Sequence, residues 1–542
     1  MSELTQYHVQ RLQTLRTERS EWDAQWEEAA ARIIPADRNK FLSRGASIGR
    51  EGAKNTELQF DATTSLAALR FSAVMESLVT PQGSVWHMLK LLDKPLQRNR
   101  AVRQFFDDLN DVLYGYRYRP QANFVGNSQQ AYLNLGVYGN GILYIDQPDK
   151  GKGLRYRNVH LGEAYFVENH AGVVDTLYRS WQMSVSDIAA MAAKQGWTVP
   201  DSIIEMAGNP QQKDQKKQVL HCVYPRDDYM PGRVDGKGKP FASVYILVDS
   251  QDLLKEWGYD SFPYAVARYT QASGETYGRG PAQWVLPSIK VLNEQKKTVL
   301  KQGHRVVDPV LLAHDDGNLS SFSLRAGALN AGGVNKDGRP LVHVLPTGNI
   351  AVGDKMMDME KALINDAFLI SLFQILIDTP QMTATEVLER AREKGMLLAP
   401  TSGRLQAEWL GTLIEREILL LAKQGLLPPP PPILQQAAVE YKIEYDNPLS
   451  RMARAERASG FMRALSSASE YAKMTGDVEA LDHFDFDAAM PEILDISGAP
   501  VAWTRSPDEI AKRRAGRAQA AQTQTMIDAA PAVAGLAKVA NP

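Results

Sequence analysis

One cysteine, Cys222, stands in 542 residues. No internal disulfide can form, and no set of Cys and His has zinc-ligand spacing, which points to a reducing compartment. No run approaches the roughly 20 apolar residues that span a bilayer. The most apolar stretch, Leu363 to Ile377, is interrupted by Asn365, Asp366, Ser371 and Gln374, and the N-terminus has no apolar signal core. An excess of one charge is also missing: 61 Lys and Arg face 63 Asp and Glu, for a net −2. That excludes a globally basic nucleic-acid binder and leaves local patches or loose, non-specific contact. The patterns GxxxxGKS/T, GxSxG, HExxH and CxxC are absent. The chain therefore has no Walker-type triphosphate cradle, and nothing nominates a nucleophile–base pair.

What is present is the apolar and charged content of a folded soluble protein, long enough for roughly two to four domains. The stretch Thr379 to Pro432 reads as two helices in series. Thr383 and Glu386 have capping-box spacing, and the helix they open runs to Gly395. A second helix begins near Ser402 or Gly403 and sets Leu405, Trp409, Leu410, Leu413, Ile414, Ile418 and Leu421 at three- and four-residue spacings. It ends at Gly425, and Pro428 to Pro432 forbid its continuation. So broad an apolar stripe suits burial on more than one side. Periodicity alone makes this an ordinary helical hairpin in a domain core.

The chain opens with a helix whose face is Leu12, Leu15, Trp22, Trp26, Ala29 and Ile33, ringed by Arg11, Arg16, Glu18 and Arg19 and closed by Pro35. Asp61 is placed to cap a second helix carrying Leu66, Leu69, Ala73 and Leu78. A third runs roughly from Gln97 to Leu113. Arg98 to Arg100 and Tyr116 to Arg119 read as solvated or phosphate-facing. From Gly139 to Phe262 the pattern changes to strands (GILYID, LRYRNV, VVDTLYRSW, FASVYILVD), with helices from Ser186 to Lys194 and Asp201 to Ala207 and an exposed linker from Asn209 to Lys217. Strands cluster in one region and helices in others, which is an α+β pattern.

Gly274 to Gly280 reads as a tight strand-to-helix junction, since glycine permits close backbone approach. The next helix, about Ser288 to Gly303, carries Ile289, Leu292, Val299 and Leu300 beside Lys290, Lys296, Lys297 and Lys301. Val306 to Leu345 holds short β-like pieces, Gly348 to Asp354 a loop, and Asp358 to Ile377 a long helix. Ala437 to Tyr445 leads to a Ser-capped basic helix after Asn447. Three acidic clusters could hold a metal by residue type: Asp482, His483, Asp485 and Asp487; His314, Asp315 and Asp316; Asp354, Asp358 and Glu360. A solvated face, a turn and a helix start, respectively, explain them more simply.

Ordered blocks carry a resemblance. They are the early helix with Trp22, Trp26 and Ile34–Pro35, FDATTSLAALRFSAVMESLVTPQGSVWHML, NFVGN, LGVYGNG, SGETYGRGPA, QMTATEVLERAREK, GRLQAEWL, GLLP and NPLSRMARAER. From Tyr7 to about Arg505 the chain resembles the head-to-tail connecting (portal) proteins of short-tailed bacteriophages. That resemblance implies a portal fold, mainly helical with a β-rich wing region and a smaller β-containing clip. Residues 1–265 would be the wing, 266–304 the stem helix region and 305–345 the clip-like region. The channel loop, long helix and central body would fall in 346–446, and the crown and C-terminal tail in 447–542.

The implied role is conduction rather than catalysis, with no cofactor, no metal and no membrane partner. Twelve copies would form a ring at one capsid vertex. Double-stranded DNA would pass without sequence preference, driven by a separate terminase motor and later released through the tail. Capsid and scaffolding proteins and tail or adaptor proteins would be the other partners. Localisation would be the virion vertex, and the host cytoplasm during assembly. Lys290, Lys296, Lys297 and Lys301 would touch DNA or neighbouring acids, and Trp409, Gly280, Thr383 and Glu386 would be structural. The acidic run Asp477 to Asp495 and the basic runs Arg451 to Arg457 and Arg505 to Arg517 would pair between neighbours. A tail adaptor or another phage interaction protein is the competing reading, and a metal-dependent nuclease a third.

Overall fold

The computed structural model describes residues 3–42, 55–93, 96, 99–313, 322–346, 350–370, 401–435, 441–445 and 448–475, with short pieces between 483 and 520. Its helices are α1 (Glu3–Glu18), α2 (Ser20–Ile33), α3 (Thr63–Val79), α4 (Arg100–Arg117), α5 (Phe124–Tyr138), α6 (Val185–Gln195), α7 (Asp201–Gly208), α8 (Pro281–Trp284), α9 (Leu286–Val307), α10 (Ile350–Ala367), α11 (Gly411–Lys423), α12 (Pro432–Gln435) and α13 (Pro448–Thr475). Its strands are β1 (His87–Leu91), β2 (Asn140–Asp146), β3 (Arg155–Asn158), β4 (Ala164–Glu168), β5 (Val174–Ser184), β6 (Lys216–Pro225), β7 (Phe241–Leu247), β8 (Asp252–Tyr259), β9 (Tyr264–Arg268), β10 (Leu311–Ala313), β11 (Val342–Val344) and β12 (Tyr441–Tyr445). Helices and several antiparallel sheets make the architecture α+β. The chain divides into two units, Met1–Ser77 with Arg119–Leu420, and Leu78–Tyr118 with Leu421–Pro542.

In the first unit β4 to β8 form a meander in sequence order. Because strand side chains alternate between faces, register sorts them into two cores. Tyr165, Tyr178, Cys222 and Val244 align across four strands, and α1 lays Leu12 and Leu15 on them. On the other side Val219 and Leu247 meet Val185, Ile188 and Ile203 from α6 and α7. Cys222 is fully buried, and burial pushes its thiol up, so it serves as a packed side chain rather than a nucleophile. Buried histidines rivet the sheet. His8 bonds the hydroxyls of Tyr178 and Tyr224. His221 bonds Tyr264 and Ser243 and stacks on Tyr245 at 4.1 Å.

The second unit pairs β1 with β12, and α4 packs on β1. Asn99 caps α4 by accepting the Ala101 N–H. The Tyr114 hydroxyl accepts the N–H groups of Trp86 and His87, and the Asn110 side chain accepts that of Leu89 at 3.0 Å.

Several elements differ from the sequence reading. The first helix is two, broken at Arg19, whose guanidinium is pulled inward to donate to the carbonyls of Leu161 and Ala164 and to pair with Asp23 at 2.9 Å. Asp61 does cap α3 through the Thr63 N–H, but the apolar face expected there points outward. Leu66 and Leu69 are 51% and 53% exposed, while Ala67, Ala68, Phe71 and Met75 are buried. Arg117, expected in a solvated run, is fully buried, 4.6 Å above the Trp86 ring. The β4, β6, β8 and β9 strands were not expected, and β6 begins inside the anticipated linker. The Gly348 to Asp354 loop is instead the start of α10 from Ile350 on, and residues 348 and 349 lie outside the described residues. This helix ends at Ala367, and Leu369 has φ +61; residues 371–377 of the long helix expected there lie outside the described residues.

Candidate functional site: a basic helix on a glycine crossing

The SGETYGRGPA segment crosses α5 where it turns into β2. Gly139, in the left-handed region at φ +76, ends α5, and the Asn140 side chain accepts the Gly278 N–H and donates to the Gly278 carbonyl. A Cβ on Gly280 would lie 2.7 Å from the Leu135 carbonyl oxygen and 2.8 Å from that of Gly136. Only glycine lets these backbones approach so closely. Gly280 then starts α8, its N–H donating to the Gln283 side chain, with Pro281 in the first turn. Pro287 sits in the first turn of α9 for the same reason, so it begins a helix instead of kinking one.

From that junction α9 carries the four lysines. Lys290, Lys297 and Lys301 are seven and four residues apart and share one flank, while Lys296 is turned about 100° from Lys297. Lys290 is tied to Glu28 at 2.6 Å. Lys297 reaches Glu294 at 3.7 Å and lies 5.4 Å over the Phe60 ring. Asn293, 4% exposed, fixes this flank to the chain before α3 by accepting the N–H groups of Phe60 and Asp61.

Against α9 lies α10. A Cβ on Gly353 would meet Val299 Cγ2 at 2.7 Å, so the helices touch there, with Met357 and Ile364 buried. Beyond α9, β10 and β11 form a short ribbon with Leu311 opposite Val344. Asp354 and Asp358 lie one turn apart on α10 and Glu360 points to nearly the opposite side, not around one point, and no group of three metal-capable side chains occurs among the described residues. His483 lies in a turn, not a strand. His314, Asp315, Asp316, Asp482 and Asp487 lie outside the described residues, as do Thr383 and Glu386.

The first unit also holds a largely buried polar lattice that sequence did not disclose. Arg268, at the end of β9, donates to both carboxylate oxygens of Glu408, to Glu168, and to the carbonyls of Thr276 and Gly172. Glu408 belongs to a π-helical stretch, Leu405–Leu410, that runs on into α11. Its wider turn seats Trp409, fully buried, 6.0 Å from Tyr132. Two turns on, Arg416 donates to the carbonyls of Ile145 and Ser261, and Glu417 accepts the Tyr156 hydroxyl at 2.6 Å. Nothing local in sequence marks Arg268 and Glu408 as partners, because 140 residues separate them.

No described helix is long and apolar enough to cross a membrane. The family model described as Bacteriophage head to tail connecting protein matches residues 6–503. Two curated proteins are similar along nearly their whole length. The portal protein of Salmonella phage epsilon15 is 27% identical over 96% of this chain and 93% of its own. The probable portal protein of Bordetella phage BPP-1 is 26% identical over 95% and 92%.

Proposed function

The chain belongs to the bacteriophage head to tail connecting protein family, and from that premise we propose that it is a portal protein, the ring at one capsid vertex through which double-stranded DNA enters and leaves. The observation that carries this reading is the end-to-end match to two portal proteins. In this reading twelve copies close around one axis, a terminase motor docks during packaging, and the tail docks afterwards. Capsid, scaffolding and tail or adaptor proteins are the remaining partners.

Residues 1–265 form the wing, 266–304 the stem, 305–345 the clip, 346–446 the channel loop, long helix and body, and 447–542 the crown and tail. The antiparallel sheets before Phe262, the α9 helix after the glycine crossing and the β10–β11 ribbon are consistent with that order. Lys297 and Lys301 are the stem cations that meet DNA phosphates, and Lys290 is engaged by Glu28. Affinity grows with each phosphate neutralised, so a conduit works best with few such contacts, which a chain of net charge −2 supplies.

The test is native mass measurement and end-on electron microscopy of the purified protein at micromolar concentration, without DNA or motor. A closed, centrally perforated ring of twelve chains is expected. A monodisperse monomer or dimer without a central hole would reject the portal reading and leave the tail-adaptor reading ahead.

A further inference from the structure

The face of α10 turned away from α9 is apolar and, among the described residues, uncovered. Val352, Met356, Met359 and Leu363 are 57%, 50%, 74% and 50% exposed. Their 4-3-4 spacing puts them on one side of the helix, about 120° from the buried side of Met357 and Ile364, where Gly353 meets Val299 of α9. Single exposed apolar side chains are ordinary, but four in register along three turns are the seam of a helix that expects another helix.

Charge indicates which helix. The α9 helix carries Lys290, Lys296, Lys297, Lys301 and Arg305 against one acid, Glu294. The α10 helix carries Asp354, Asp358, Glu360 and Asp366 against Lys355 and Lys361. Each chain thus offers a basic helix and an acidic one side by side. If such pairs repeat around an axis, the acidic helix of one copy faces the basic helix of the next, a heterologous contact whose rotation can close. Outward-facing Val291 and Thr298 on α9 give that contact an uncharged centre. DNA is a poor occupant for a stripe of Met, Leu and Val that holds no cation.

We propose that the Val352–Met356–Met359–Leu363 stripe of α10 is the surface by which each copy of this chain seats against the α9–α10 pair of its neighbour. This rests on the ring reading above, and the experiment separates the two. Met356→Lys/Met359→Lys places charge on exposed positions, so the isolated chain should keep its far-ultraviolet dichroism and its melting while ring yield falls by roughly tenfold or more. Independently, the thiol of Met359→Cys should react with a maleimide roughly tenfold more slowly in the assembled ring than that of Val234→Cys, a site 91% exposed outside the helix pair. In the monomer made by Met356→Lys the two thiols should react alike. The buried Cys222 contributes no background.

Failure of the unsubstituted chain to form rings would overturn the portal reading itself. Rings that persist in Met356→Lys/Met359→Lys, or a Met359→Cys thiol that stays fully reactive in the ring, would overturn the interface alone. So would protection already present in the monomer, which would mean the chain covers its own stripe, or protection that appears only when DNA or another virion protein is added.

Discussion

Two parts of the first unit solve the burial problem in opposite ways. In the body around the sheets and α11, the largest side chains are buried: Trp26, Trp409, Arg19 and Arg268 are all under 2% exposed. The two charged ones are paired there, Arg19 with Asp23 and two carbonyls, Arg268 with two carboxylates and two carbonyls. In the α9–α10 pair the buried apolar side chains are few, and Met359 is 74% exposed. Burying an unpaired charge costs far more than leaving a methionine wet. The body is therefore finished as a single chain, whereas the helix pair is finished by what it meets.

The sharpest contrast should come from Trp409→Ala. It removes a fully buried ring and should cost about 3–5 kcal/mol, read as a lower melting temperature and a lost ring yield. The Trp409 indole N–H has no acceptor among the described residues, so Trp409→Phe loses volume only and should cost about 1–2 kcal/mol. Equal losses for the two would mean that the N–H matters.

Arg268→Met should come next. It takes the main cation from Glu168, which keeps its Gln271 donor at 2.7 Å, and from Glu408, which keeps Arg404 at 3.9 Å; removing one partner of a buried pair costs about 3–5 kcal/mol. These carboxylates keep 20% and 25% exposure and can recruit water, which brings the expected loss to about 2–3 kcal/mol. Chemical denaturation measures it, and an unchanged midpoint would show that the lattice is replaceable.

Acid should find the body before the helix pair. Burial pushes His8 down to about 4 and His221 to about 3, from 6.5. Between those values and 6.5 the unfolded chain takes up protons that the folded sheet refuses. Stability is thus full above pH 6.5 and falls as pH drops toward 4, by up to about 1.4 kcal/mol per pH unit for each histidine. His221→Gln should flatten the slope; a slope identical to that of the unsubstituted chain would remove His221 as its source.

The smallest effect is expected on the helix pair. Lys297→Gln/Lys301→Gln should shift stability by no more than about 0.5 kcal/mol and leave melting almost unchanged, while altering packaging or retention of DNA. Sequence preference should stay absent, since phosphate contacts carry none. Selection of one DNA sequence over random competitor would break the reading of these lysines as non-specific channel contacts.

Much of the fold was legible where the controlling interaction is local. Asp61 before α3, the glycine–proline punctuation around Gly280, Pro281 and Pro287, the β2, β5 and β7 strands and the apolar run of α11 all follow from caps, turns and periodicity a few residues long. Tertiary structure decided what depends on distant partners. It turned Leu66 and Leu69 outward because Phe71 found Tyr269 and Phe368. It broke the first helix at Arg19 because the carbonyls of Leu161 and Ala164 lay within reach. It buried Arg117 over Trp86, and it widened one helical turn so that Glu408 could meet Arg268. A helix pattern states that one face is apolar; which face is buried, and which charge is worth desolvating, depends on groups more than a hundred residues away that only the folded chain brings together.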